Sequence, residues 1–194
     1  MPSVYGAMVA TEDVRRWAID HLETWCPSYL AEVGRERDVT LAPFAGFTTT
    51  TDDRFPVCVV ACAGTDERPE RHGDGKVTAQ YTLGVAAVCE GDTRDEATAL
   101  ASWYGLAVRG AFLQHPSMGG HADGCVWDRE AIEEVAWDAD RSIVACIEQF
   151  TVTVPAVIDT TGGVLTPPAD PDEPVSTVTV DTTDVTVHPG IDLS

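Results

Sequence analysis

GDTRDEATALASWYGLAVRGAFLQHP, residues 91–116, decides how this chain folds. Thr93 and Glu96 stand three apart at the head of an apolar run, the capping-box pattern in which a hydroxyl and a carboxylate satisfy the first free amides of a helix. His115-Pro116 closes the run, because the residue before a proline is pushed out of the helical region. The helix expected between them is apolar on two stripes. Ala97, Leu100, Ala101, Tyr104, Val108 and Ala111 make one, and Ala99, Trp103, Leu106 and Leu113 the other. The polar stripe, Asp95, Thr98, Ser102 and Arg109, is narrow. Such a helix packs on two sides, and a single small sheet covers one of them. The second side calls for another layer or a neighbouring subunit.

On the N-terminal side, Thr11 reads as the cap of a second helix with Val14, Trp17, Ala18, Leu22 and Trp25 on its buried face. Pro27 suits the first position of a restarted turn, so this helix is expected to kink there and end at Gly34. Strands are expected over 47–51, over the continuous apolar run FPVCVVAC (55–62) with Pro56 at its start, and over 76–90. GTDERPERHGDG (64–75) reads as an exposed loop. Downstream, short segments at 124–128 and 132–137 precede a long strand through Ile143, Cys146, Phe150 and Val154 that ends near Asp159. The expectation is an α+β fold: a mixed, mainly antiparallel sheet packed by two main helices, over residues 1–161. Residues 162–194, rich in Pro, Thr and Asp, read as an acidic arm with an alternating stretch at 175–187. Such an arm gains most by adding a strand to another subunit's sheet.

Composition narrows function. The 194 residues carry 32 acids against 12 Lys plus Arg, a net charge of −20, which repels phosphate backbones and anionic lipid headgroups. The last base is Arg141, and Lys76 is the single lysine. A GC-rich genome that writes Arg for Lys, or adaptation to high salt, accounts for that balance. No apolar run approaches a membrane span, and nothing at the start of the sequence directs it to a secretory route. No membrane partner is expected.

Residues that could carry chemistry are few. Six cysteines in 194 residues fall below the density of a disulfide scaffold and read as small buried apolar side chains. Cys58 and Cys62, four apart on a strand, are separated by about 13 Å and cannot share a metal. His115, His121, Asp123 and Cys125 gather near one turn but match no zinc or iron spacing; turn and capping roles suit them better. Gly73-Asp74-Gly75 lacks the Lys-Ser/Thr that completes a phosphate loop. No nucleophile stands with its base. The expectation is no catalytic residue, no metal and no cofactor: a protein that assembles and is not an enzyme.

Several segments, taken in order, carry a resemblance. They are Arg54-Phe55-Pro56-Val57, Gly73-Asp74-Gly75 before Tyr81 and Val85, Gly91-Asp92-Thr93-Arg94, Ala101-Ser102-Trp103-Tyr104 with Ala107-Val108-Arg109, Leu113 to Gly120, and Val126-Trp127. From about Glu12 to Asp159 the chain resembles the tail terminator proteins of long, flexible-tailed phages and tailed archaeal viruses. The resemblance implies helices packed on a mixed sheet and a ring, usually of six subunits, that caps the tail tube, stops its growth and meets a neck or stopper protein beneath the head. It implies no catalytic residue. Its location would be the head-proximal end of the virion tail, after assembly in the host cytoplasm. DNA would pass through the lumen without specific binding, and a lumen lined by carboxylates would let it slide. A different neck component, a head-completion or stopper protein, fits the same composition. A small hydrolase or metal-dependent enzyme using His115, His121 and the nearby carboxylates is a third reading.

Overall fold

The computed structural model describes residues 9–50, 54–65, 67–138 and 141–159. It is an α+β fold, 36% helix and 42% strand. Helix α1 (Thr11–Arg37) leads through strand β1 (Phe47–Thr48) to β2 (Val57–Gly64), the short β3 (Glu70–Arg71) and the long β4 (Lys76–Gly91). Helix α2 (Arg94–Gln114) and a 3-10 turn (Met118–Gly120) follow, then β5 (Gly124–Asp138) and β6 (Arg141–Asp159). The sheet runs β1-β2-β4-β6-β5, with β3 paired to the outer part of β4. Only β1 with β2 is parallel. The expected arm, 162–194, lies outside the described residues.

Both helices lie on one face of the sheet. Alternation along β4 sends Tyr81, Leu83, Val85, Ala87 and Cys89 to that face, and along β6 Val144, Cys146, Phe150, Val152 and Val154 join them in the main core. α2 lies on β4 and β6, and α1 lies on α2 and β2. α1 therefore supplies a second layer over one flank of α2 from the same chain, while Leu106 and Leu113 of the second stripe stay exposed. α1 offers Val14, Ala18, Leu22, Cys26 and Leu30, an unbroken i, i+4 ridge. Two close approaches make the stack possible: a Cβ on Gly110 would stand 2.9 Å from the Tyr29 ring, and one on Gly105 only 2.4 Å from Cys146 Sγ.

Five expectations are corrected. α1 is capped at Ala10, whose amide donates to Asp13 Oδ2 at 2.9 Å, and it begins at Thr11. It continues through Pro27, as expected, but runs past Gly34 to Arg37, with Asp38 in the left-handed region (φ 55°, ψ 44°) as its C-cap. Trp25 is not on the buried face; it is 37% exposed. The 64–75 segment holds β3, too short and too charged to carry a strand signal. The two segments expected at 124–128 and 132–137 are one strand, whose register against β6 slips between Trp127 and Arg129 and again between Glu134 and Ala136. Half of the expected capping box is present at α2: Thr93 Oγ1 accepts from the Glu96 amide (3.2 Å), but Glu96 Oε2 accepts from the amide of Asp92, one residue before the cap (3.1 Å).

Candidate functional site

On the helix-facing side of β6, the alternation Val144, Cys146, Glu148, Phe150, Val152 places a carboxylate where every neighbour in the series is apolar. Glu148 is fully buried. Such a charge needs partners, and two neighbouring elements supply them. From α2, Arg109 donates to both carboxylate oxygens, Nη2 to Oε1 at 2.6 Å and Nε to Oε2 at 3.3 Å, the forked geometry in which guanidinium binds carboxylate best. From β5, Trp127 Nε1 donates to Oε2 at 2.7 Å. The Arg109 guanidinium also pairs with Glu130 and lies 4.1 Å from the centroid of the Trp127 ring. Gly105, one helical turn before Arg109, leaves room for Cys146 and Glu148 to rise against α2.

Among the described residues, Glu130, Cys146 and Glu148 form the one group of three ligand-type side chains whose atoms lie within 4.8 Å of one another. The positive charge there is Arg109. Burial pushes the Cys146 thiol up to about 12, with the Glu148 carboxylate adding to the push and Arg109 opposing it. A neutral thiol beside a guanidinium is a poor metal ligand. The arrangement ties α2 to the β5 edge of the sheet. The remaining cysteines are also free thiols, held up by burial; Cys26, Cys89 and Cys125 reach about 12, and Cys58 and Cys62 are raised.

The residues weighed as ligands from sequence are spread apart. His115 stacks on Trp25 (3.6 Å between centroids) and His121 on Trp17 (4.3 Å), so the two imidazoles serve two different tryptophans of α1. Cys125 is buried, and the Asp123 amide donates to the Thr153 carbonyl. Cys58 and Cys62 sit on β2, one buried and one half-buried. His21, which sequence reading passed over, is buried beside Phe112 with Nε2 3.1 Å from the Ala111 carbonyl.

No family model and no curated protein matches the chain. Among the described residues, no helix is long and apolar enough to cross a membrane.

The surface around the Arg109 network is apolar. Leu106 and Leu113, three before and four after Arg109, share its flank of α2 and are 39% and 46% exposed. Trp127 and Ile132 on β5 are 38% and 44% exposed. Leu106 and Leu113 belong to the second stripe of α2; α1 covers the other flank and leaves this one open. On the opposite face of the sheet, Val57, Val88 and Ala145 form a second small cluster with Val59, Ala86, Ile143 and Ile147 around it. Among the described residues, Phe55 alone joins that cluster from outside the strands.

Proposed function

We propose that this chain is a tail terminator: a structural virion protein that forms a ring on the tail tube, ends tube elongation and joins the tail to the neck. The resemblance supports the reading, and the observation that carries it is where its segments fall. Arg54-Phe55-Pro56-Val57 makes the turn into β2, Gly73-Asp74-Gly75 the turn between β3 and β4, and Gly91-Asp92-Thr93-Arg94 the joint and cap into α2. The segment from Leu113 to Gly120 ends α2 and forms the 3-10 turn. At these positions backbone geometry restricts residue choice, which supports reading the quoted segments as turn and cap chemistry in the order the resemblance has them.

The protein acts by assembly, not catalysis, in this reading. Among the described residues, burial raises the pKa of every cysteine thiol, and the buried Glu148 carboxylate is engaged by the Arg109 guanidinium. The ring's lumen is net negative, which keeps DNA from adhering. Electron microscopy of particles made while this gene alone is silenced tests the proposal. Over-long tail tubes beside tailless, filled heads are the expected result. Tails of normal length that fail to join would make this a neck protein instead, and intact particles would refute the virion reading.

A further inference from the structure

The two histidine-tryptophan stacks border a cleft that tail assembly does not use. Trp17, His21 and Trp25 stand four apart on one face of α1, so the indoles flank the imidazole about 6 Å to either side along the helix axis. Asp20 and, from the 3-10 turn and its end, Met118 and His121 join them around a cleft of about 300 Å³. That volume is at the lower end of small-ligand sites. The walls are set before anything enters. His121 stacks on Trp17 and His115 on Trp25, and each stack holds an indole that would otherwise turn freely at the surface.

The polar groups of the cleft define what it takes. A carbonyl only accepts, so the 3.1 Å contact with Ala111 makes Nε2 the protonated nitrogen of His21 and leaves a lone pair on Nδ1. His21 is 5% exposed, and burial favours this neutral ring. Among the described residues, nothing donates to Nδ1. Asp20, the preceding residue, is an exposed carboxylate with no ion pair among them, since Arg15 is held by Glu12 and Arg16 by Asp13. A cation with N–H donors answers both groups, and indole rings attract cations. An anion would meet Asp20 on a molecule of net charge −20. A metal ion would find too few ligands, because neither Asp20 nor His21 belongs to a group of three close ligand atoms among the described residues. A quaternary ammonium would satisfy the indoles and leave Nδ1 unpaired. A guanidinium offers several donors in one plane and a flat face that stacks on indole, which a compact, strongly hydrated ammonium does not.

We infer that the cleft between Trp17 and Trp25 binds a guanidinium group, with Asp20 and His21 Nδ1 accepting its N–H bonds and an indole against its face. The inference rests on α1 and the 3-10 turn and stands apart from the tail assignment. A free guanidinium compound and an arginine side chain of another protein present the same group, and the experiment separates them.

The full chain is titrated with ethylguanidinium at fixed salt and about pH 7.5, above the ordinary histidine range, while NMR follows the indole N–H signals. Trp17→Phe and Trp25→Phe assign the two signals of the cleft, and Trp103 and Trp127, which do not line it, are internal controls. The expected result is saturable movement of the Trp17 and Trp25 signals, with a dissociation constant of about 1 mM, and none in the controls. Asp20→Asn changes an exposed side chain and should weaken binding roughly two- to fivefold. Tetramethylammonium, which has no N–H, should bind more weakly than ethylguanidinium. N-acetylarginine amide then separates the sources: binding as tight as that of ethylguanidinium supports a site for a protein's arginine, and loss of binding supports one for a free compound. Signals that do not move, or that all move together without saturating, as general attraction to an acidic surface would make them, overturn the inference. So does tetramethylammonium binding equally well, or an unchanged affinity in Asp20→Asn.

Discussion

Glu148 is the residue on which the β5 side of the molecule depends. A carboxylate with no exposure is tolerated because Arg109 and Trp127 donate to it. Removing the cation leaves the charge buried and unpaired, so Arg109→Ala is expected to cost about 3 kcal/mol or more. Arg109→Ala with Glu148→Gln should recover part of that loss in denaturant titrations, since the charge disappears with its partner. An equal loss in both would show that packing of the arginine, not charge, is what matters. His21 gives a second handle. Burial lowers its pKa, the hydrogen bond to Ala111 works against the shift, and the nearby His115 adds to it. A lowered folded pKa means the unfolded chain takes the proton first. The contribution is therefore complete above the unfolded value of about 6.5 and is lost as pH falls from there toward the folded value. Between pH 7.5 and 5.5, a range chosen to lie above ordinary carboxylate titration, the melting temperature of the wild type should fall more than that of His21→Gln. The two falling equally would exclude His21 as the source.

At the scale of elements, α1 and α2 differ in how well their ends are made. The N-terminus of α2 is closed by Thr93 and Glu96, and those two residues announced it in the sequence. The C-terminus of α1 is closed by Asp38, an acid at the negative end of a helix and in a left-handed conformation that glycine adopts without penalty. Asp38→Gly should stabilise the protein by about 0.5–1 kcal/mol, read as a higher denaturant midpoint with unchanged slope. A lower midpoint would mean that the Asp38 side chain holds the following segment. This end was misread because Gly34 looks like a stop. It lies inside the helix, where the Val39 carbonyl comes within 2.8 Å of the place a Cβ would occupy, so its smallness serves the chain folding back. β5 was read as two fragments for a related reason. Asp128-Arg129-Glu130 and two register slips break the alternation that marks a strand, although the ladder continues. The Arg109 network left one trace in the sequence, the acid in an otherwise apolar alternation along β6. Its partners come from α2 and β5, at separations no local pattern encodes.

For the whole molecule, charge sets the conditions. With 32 acids against 12 bases, self-repulsion opposes the compact state and salt relieves it. The melting temperature should climb by several degrees between about 0.1 M and about 2 M potassium chloride, roughly 2–4 °C for each kcal/mol of repulsion screened. A flat response would favour a GC-rich genome over adaptation to high salt as the origin of the composition. The sheet adds a mechanical consequence. β6 is paired antiparallel on both sides, with β4 from Ser142 to Asp159 and with β5 from Arg141 to Thr153. Inter-strand hydrogen bonds lie across the strand axis, so tension along β6 loads both ladders in shear instead of peeling them one bond at a time. Anything that grips the chain beyond Asp159 pulls on the strand best anchored to resist it.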